Sequence, residues 1–237
     1  MRSLAVALRF LTRLPAPAVR AGAPELGASL LWYPLVGALL GVIAAGAGAV
    51  LAAGTPLLGA AAAVAVLAGL SGGLHLDGLA DTADAWVGGL GDRERTLAIM
   101  KDPSCGPAGV SAITGVMLLK AGAAAALVVG GGWPGIVLAA TLARGAVPVL
   151  FACTPYVRSG GMGSPLASHG PGAAVIWPVA GTAVFCLFLG RAGVLGLLVS
   201  AVLLGLLRAA FRRRIGGTTG DTAGAVIELV ETAALMT

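Results

Sequence analysis

Repeated apolar runs, each roughly long enough to cross a bilayer as a helix, dominate this sequence. A hydrocarbon core of about 30 Å requires about 20 apolar residues per helix. Hydrophobic residues make up 58% of the 237-residue chain and charged residues only 11%, which is far from a soluble domain. With no clear repeat or linker, the sequence predicts one domain, residues 1–237, folded as an all-α polytopic membrane bundle. The expected seven spans are 28–54, 57–76, 107–130, 134–155, 173–190, 192–209 and 222–237.

The basic residues are distributed unevenly about these spans. Of the 15 Lys and Arg residues, Lys120 and Arg144 fall inside spans and Arg191 falls in a turn on one side, while all the others fall on the opposite side. Because positively charged loops remain in the cytoplasm, we expect that basic side to be cytoplasmic. The net charge of +5 is then explained by topology, so membrane lipids, and no nucleic acid, are the expected partners.

The amino-terminal stretch MRSLAVALRFLTRLPAP predicts an amphipathic helix. Arg2, Arg9 and Arg13 share one face at 100° per residue, and leucines lie broadly opposite. This pattern is typical of a helix in the membrane interface with its bases towards anionic headgroups. A cleaved targeting peptide is the alternative, although no small-residue cleavage site precedes an obvious mature start.

The acidic residues are concentrated in two segments, the first of which is SGGLHLDGLADTADAW. On a helix, Asp77, Asp81 and Asp84 stand at i, i+4 and i+7 and share one face. Carboxylates so placed repel each other, and a divalent cation such as Mg²⁺ relieves that repulsion and can hold substrate phosphates. The segment therefore predicts a metal site, with a merely solvated helix end as the alternative.

The second acidic segment follows the Gly/Thr-rich stretch GGTTGDTAG. Asp221, Glu228 and Glu231 stand at i, i+7 and i+10, and we expect Asp221 and Glu228 to contribute to the metal site. Backbone N–H groups of the turn around Thr219 could receive phosphate oxygens at the start of the helix. An ordinary helix end is about as consistent with this pattern.

Further candidates for the site are single charged or titratable residues. His75 is a candidate general base, or an interfacial histidine with a backbone partner. Lys101 and Asp102 lie in a turn-rich loop. The rigidity and charge of this loop suit a contact with substrate, and a plain connection between helices is the alternative. Arg144 within a span should face the bundle interior and pair with a carboxylate or a phosphate. Lys120 is either part of the site or a structural residue whose long stem reaches the interface.

These residues predict a membrane-embedded enzyme with a carboxylate-bound divalent metal and a phosphate-bearing substrate. A cation transporter would place its carboxylates near the bilayer midplane, whereas here they cluster towards one face. A CDP-alcohol phosphotransferase is the nearer alternative because it also uses an aspartate-rich signature. The chain begins that signature with Asp77-Gly78 and then departs from it at Asp81-Thr82.

Several motifs together resemble the cobalamin synthase family. They are FLTRLPAP (10–17), YPLVGALLG (33–41), GGLHLDGLADTAD (72–84), MKD (100–102), ARG (143–145) and GDTAGAVIELVE (220–231). The resemblance implies an Mg²⁺-dependent enzyme that transfers the cobinamide-phosphoryl group of adenosylcobinamide-GDP to α-ribazole, or to its 5′-phosphate, with release of GMP. Whether the enzyme is a homo-oligomer is left open.

The resemblance also implies roles for the matching residues. Asp77, Asp81 and Asp84 would form the metal and diphosphate site, with Asp221 and Glu228 as a second acidic contribution and Glu231 less firmly. Lys101 and Arg144 would neutralise phosphate charge, with Asp102 and Thr219 among the substrate contacts, and His75 or an aspartate would accept the hydroxyl proton.

Overall fold

The computed structural model describes residues 2–158, 160–161 and 163–237, and within them twelve α-helices. The helices are α1 (Arg2–Leu11), α2 (Ala23–Ser29), α3 (Tyr33–Leu51), α4 (Pro56–Leu70), α5 (Leu74–Gly88), α6 (Arg93–Ile99), α7 (Pro107–Val129), α8 (Trp133–Cys153), α9 (Ser164–Ser168), α10 (Ile176–Phe188), α11 (Gly190–Ile215) and α12 (Gly220–Leu235). Over these described residues the only β-type pairing is one isolated bridge. The predicted all-α membrane bundle is confirmed.

Each predicted span corresponds to a helix, but the helices differ in length. Four stretches are long and apolar enough to cross a bilayer, namely 23–51, α7, α8 and α11, and a fifth crossing results if α4 and α5 count as one. The predicted number of seven spans is therefore higher than the number of full-length apolar helices in the described chain. The reason is that α4, α10 and α12 have only 15, 13 and 16 residues, which is shorter than a bilayer core requires.

Helix α8 lies at the centre of the bundle and packs against α3, α11 and α12. The α3 contact is close because α3 presents glycines. A Cβ atom on Gly41 would lie 2.6 Å from the Cα of Val137, and one on Gly37 would collide with the carbonyl oxygen of Ala140. Small residues permit this backbone approach, which drives helix association in lipid through van der Waals contact.

A sharp turn separates α4 from α5. Gly72 and Gly73 both have positive φ, +65° and +72°, a conformation that glycine adopts without strain. The two helices meet at 86°, so α5 leaves the direction of α4. The turn directs the aspartates of α5 towards α12.

Helix α5 approaches α12 closely through a pair of glycines. A Cβ atom on Gly78 would lie 2.7 Å from the carbonyl oxygen of Asp221, and one on Gly224 would lie 3.2 Å from the carbonyl oxygen of His75. Any larger side chain at Gly78 would push the helices apart. This contact joins the two acidic segments of the sequence.

The segment after α8 pairs with the segment before α12. Val157 N–H donates to the carbonyl oxygen of Thr218 at 2.9 Å, and Thr218 N–H donates to that of Pro155 at 2.8 Å. The pairing forms the isolated bridge between Tyr156 and Thr218. As a result, Arg158 lies beside the amino-terminal end of α12.

The predicted amphipathic helix at the amino terminus is present as α1. Its Val6, Ala7 and Leu11 are buried, whereas Arg2 and Arg9 are exposed. The carbonyl oxygen of Leu70 accepts a 2.7 Å hydrogen bond from Arg13 N–H, just beyond α1. The helix is therefore attached to the bundle, and its position in a membrane interface stays a prediction.

Candidate active site

A cavity of about 520 Å³ lies between α1, α3, α5, α8 and α12. Its polar side is formed by charged or titratable side chains from α5, from the loop before α7, from the segment after α8 and from α12. These are His75, Asp77, Asp81, Lys101, Asp102, Arg158 and Asp221. The volume is within the range of small-molecule binding sites.

Three aspartates from the two acidic segments share this cavity. Asp77 and Asp81 come from successive turns of α5, and Asp221 comes from the first turn of α12. Their meeting depends on the close contact of Gly78 with α12. The site thus unites residues that are more than 130 positions apart in the sequence.

Arg158 forms an ion pair with Asp221 inside the cavity. Its guanidinium donates to a carboxylate oxygen of Asp221 at 2.6 Å, and the two side chains are 28% and 17% exposed. Burial raises the pKa of Asp221, and the neighbouring Arg158 charge opposes that rise. Arg158 was not among the predicted site residues, because its loop position indicated only membrane topology.

The loop between α6 and α7 places Lys101 and Asp102 at the edge of the cavity. Both side chains are exposed, and a carboxylate oxygen of Asp102 accepts a hydrogen bond from Ser104 N–H at 2.9 Å. Hydrogen bonds from Ser104 lower the pKa of Asp102. The carboxylate is thereby fixed in position, and Lys101 remains available to a ligand.

His75 lies in the first turn of α5 and lines the cavity. Its side chain is only 3% exposed, and within the described residues its Nε2 atom has no hydrogen-bond partner. A buried polar atom without a partner is costly, so a ligand in the cavity is the natural partner for this nitrogen.

Asp84 lies on α5 but does not line the cavity. Its two carboxylate oxygens accept hydrogen bonds from Gly106 N–H at 2.7 Å and from Gly109 N–H at 2.9 Å. These N–H groups belong to the start of α7, which has no capping side chain of its own. Asp84 therefore caps α7 from a neighbouring helix and fixes the end of the loop that carries Lys101.

Glu228 and Glu231 also lie away from the cavity, in a buried charge cluster with Lys120 and Arg144. Lys120 Nζ donates to Glu228 and to Glu231, each at 2.6 Å, and Arg144 pairs with the second oxygen of Glu231. All four side chains are at most 4% exposed. Two positive and two negative charges balance, so this buried charge cluster ties α7 and α8 to α12.

Thr219 caps α12 and is fully buried. Its hydroxyl oxygen accepts a hydrogen bond from Thr222 N–H at 3.2 Å, and the Thr222 hydroxyl accepts one from Thr219 N–H at 2.8 Å. This capping box orients the first turn of α12, which carries Asp221. The side chain does not line the cavity, so its predicted phosphate contact has no direct counterpart there.

Comparison with known proteins assigns the chain to a family. Residues 3–237 match the profile of the family described as cobalamin-5-phosphate synthase. The chain belongs to this cobalamin synthase family. The resemblance seen in the sequence motifs is confirmed, and so is the prediction of a transferase, an adenosylcobinamide-GDP ribazoletransferase.

Relatives of the cobalamin synthase family match the chain from end to end. The chain is 53% identical to the adenosylcobinamide-GDP ribazoletransferase of Pseudomonas paraeruginosa, over all of this chain and 97% of the relative. It is 49% identical to the protein of the same name from Ectopseudomonas mendocina, over 98% of this chain and 96% of that relative. No solved structure matches the chain.

The cavity of this cobalamin synthase family member suits a divalent cation electrostatically. Four aspartates and two cationic side chains line it, which gives these six groups a formal charge of −2 when all are ionised. Within the described residues, no three His, Cys, Asp or Glu side chains are grouped so as to hold one ion together. Mg²⁺ commonly takes one or two protein carboxylates and completes its shell with water and substrate phosphate, so the oxygen donors present fit it.

A substitution at Asp84 distinguishes a capping role from a metal-binding role. We expect Asp84→Asn to lower stability by about 1 kcal/mol, because an amide cannot accept two backbone N–H bonds as the carboxylate does. Thermal unfolding in detergent measures this loss. For the Mg²⁺-dependent reaction that the sequence resemblance implies, the Mg²⁺ concentration for half-maximal turnover should stay unchanged, and a marked increase would instead indicate that Asp84 binds the metal.

Proposed function

We propose that this cavity joins the two halves of the cobalamin nucleotide loop. The 3′-hydroxyl oxygen of α-ribazole, or of its 5′-phosphate, attacks the phosphorus that carries cobinamide in adenosylcobinamide-GDP. A P–O bond forms to the ribose oxygen, the P–O bond to the GMP phosphate breaks, and GMP leaves with the bonding electrons. The observation that supports the proposal is the meeting of Asp77, Asp81 and Asp221 with Arg158 in one cavity of a cobalamin synthase family chain.

The cationic residues of the cavity suit the diphosphate of the donor. Arg158 presents a planar guanidinium beside Asp221, and Lys101 extends from the loop at the edge. Arginine and lysine stabilise the charge that develops on phosphoryl oxygens during transfer. We assign phosphate binding to Lys101 and Arg158, since Arg144 is engaged in the buried charge cluster.

The carboxylates of the cavity suit a magnesium ion. One or two of Asp77, Asp81 and Asp221 would hold it together with water and substrate phosphate, and Glu228 is excluded by its pairing with Lys120. Bound there, Mg²⁺ would neutralise charge on the diphosphate oxygens and on the departing GMP.

His75 is a candidate to accept the proton of the attacking hydroxyl. The residue lines the cavity, its Nε2 has no partner among the described residues, and it lies on α5 six residues before Asp81 and two before Asp77. A neutral imidazole nitrogen can accept a proton that an already paired group cannot. Replacement of His75 by Gln keeps a hydrogen-bonding side chain but removes this function.

A substrate comparison tests the proposed function. Purified protein is incubated with adenosylcobinamide-GDP and α-ribazole 5′-phosphate, and separately with a CDP-activated lipid donor and an alcohol acceptor. We expect a new corrinoid product in the first reaction and no CMP in the second. CMP release without a corrinoid product would instead assign the cavity to lipid phosphotransfer.

We also propose that the cavity faces the cytoplasm of a bacterial inner membrane. The charged loops near it carry most of the basic residues, and the nucleotide substrates are cytosolic molecules. A reporter fused after Arg214 should therefore be cytoplasmic and one fused after Thr55 should be external. The reverse pattern of reporter activity would contradict this orientation.

A further inference from the structure

One wall of the cavity is hydrocarbon and has no role in the phosphate chemistry proposed above. Side chains from α1, α8, α9 and α12 form this apolar wall, which consists of Phe10, Leu11, Val147, Phe151, Leu166 and Ile227. Four of these six side chains are at most 3% exposed. The charged side of the cavity and the apolar wall thus favour different parts of a substrate.

Aromatic rings accompany the apolar wall. Phe10 and Tyr33 stack with ring centroids 6.4 Å apart and planes at 25°, and Phe151 lies 5.9 Å from Tyr156. All four rings line the cavity. Flat aromatic ligands gain from offset or edge contact with such rings in addition to the burial of apolar area.

Two of these four rings carry a hydroxyl. The Tyr33 hydroxyl is buried, and in the described part of the chain it makes no hydrogen bond. A ligand placed here would therefore find hydrocarbon side chains together with two phenolic hydroxyls, those of Tyr33 and Tyr156, each able to donate a hydrogen bond.

We propose that the apolar wall, together with Tyr33, binds the base of the nucleoside acceptor. This inference rests on the proposed function, in which the acceptor is α-ribazole, the riboside of dimethylbenzimidazole. That base is flat and bicyclic, with hydrocarbon along most of its edge and a single ring nitrogen free to accept a hydrogen bond. The Tyr33 hydroxyl supplies one donor for that nitrogen.

The guanine of the donor is a poorer occupant of this wall. Guanine carries donors and acceptors around its edge, and burial of each without a partner is unfavourable. The six side chains of the apolar wall offer no polar atom. Binding of the acceptor base here places the ribose towards His75 and the aspartates, where the hydroxyl has to react.

The assignment gives α1 a part in the reaction. Phe10 and Leu11 come from the last turn of the amino-terminal helix, whose exposed face carries Arg2 and Arg9. The helix that we expect at the membrane interface therefore also completes the acceptor subsite.

Conservative substitutions in the apolar wall test this assignment. Phe151→Leu and Phe10→Leu keep an apolar side chain but remove the ring, and Phe188→Leu, at a side chain that is 88% exposed, is the control. We expect each wall variant to raise the KM for α-ribazole 5′-phosphate about tenfold, with the KM for adenosylcobinamide-GDP within about twofold of wild type. The preference for this acceptor over an imidazole riboside phosphate should shrink by the same factor. Phe188→Leu should behave as wild type.

Two outcomes would overturn the assignment. A raised KM for adenosylcobinamide-GDP and weaker inhibition by GMP, with the acceptor KM unchanged, would place guanine at the wall. No change in either KM would leave the wall outside substrate binding. Calorimetric binding of α-ribazole 5′-phosphate, which needs no turnover, provides the same comparison: about tenfold weaker binding to Phe151→Leu supports the subsite, and equal binding contradicts it. Failure of the wild-type protein to make a corrinoid product would contradict the proposed function instead.

Discussion

Replacement of Asp81 by Asn is expected to lower turnover by on the order of 10³-fold while the protein still inserts and folds. Asp81 lines the cavity from α5, beside Asp77 on the previous turn and Asp221 on α12. The amide has the same shape but removes a negative charge from the proposed metal site. Asp77→Asn and Asp221→Asn should have effects of similar size, since the three carboxylates share one cavity.

The control for these aspartate variants is Glu94→Gln on α6. Glu94 is exposed, so loss of its charge should leave turnover and stability unchanged. Corrinoid product formation by purified protein measures the activity, and size-exclusion chromatography in detergent measures folding. Near-normal turnover of Asp81→Asn would remove Asp81 from the site.

Replacement of Lys120 by Met is expected to destabilise the bundle by about 3–5 kcal/mol. The substitution removes the ammonium that pairs with Glu228 and Glu231 at 2.6 Å, so Glu228 becomes a buried charge without a partner. Because α12 also carries Asp221, activity should fall together with stability. Thermal unfolding of the purified protein, followed by circular dichroism, measures the change.

A second substitution in the buried charge cluster separates charge imbalance from lost packing. Lys120→Met combined with Glu228→Gln leaves Arg144 and Glu231 as a balanced pair, so stability and activity should recover in part. Arg191→Met, at an exposed residue, should unfold at the wild-type temperature. If the double variant were less stable than Lys120→Met alone, the proposed charge balance would be wrong.

The helical spacing of the sequence was sufficient to predict part of the candidate site. Asp77 and Asp81 are one helical turn apart, so their common face follows from α-helix geometry. Asp84 is two turns from Asp77, about 10 Å further along the helix, and this places it beside the start of α7. Spacing along one helix did not show that another helix would begin there.

The contacts between distant segments could not be derived from spacing. Asp221 was expected to act with Glu228, yet Asp221 lines the cavity and Glu228, seven residues further along α12, lies in the buried charge cluster. Lys120 reaches Glu228 because α7 packs against α12. Arg158 approaches Asp221 through the bridge between Tyr156 and Thr218, which joins two loops with no local signal.

The helical content of the bundle was predictable because apolar runs in lipid must satisfy their own backbone hydrogen bonds. The number of full-length spans could not be predicted, since hydropathy does not show where a helix ends. Gly72 and Gly73 end the apolar run at an 86° turn, and α12 is apolar in part because it is buried within protein. Burial by protein and burial by lipid favour the same residue types.

The most direct test of the proposed reaction is GMP release by the purified protein with adenosylcobinamide-GDP and α-ribazole 5′-phosphate, with and without Mg²⁺. We predict GMP and corrinoid product in equal amounts, only with Mg²⁺ present, and neither from Asp81→Asn. Equal rates of product formation in Mg²⁺ and in excess chelator would contradict the metal site. GMP release that does not depend on the acceptor would contradict transfer to ribazole.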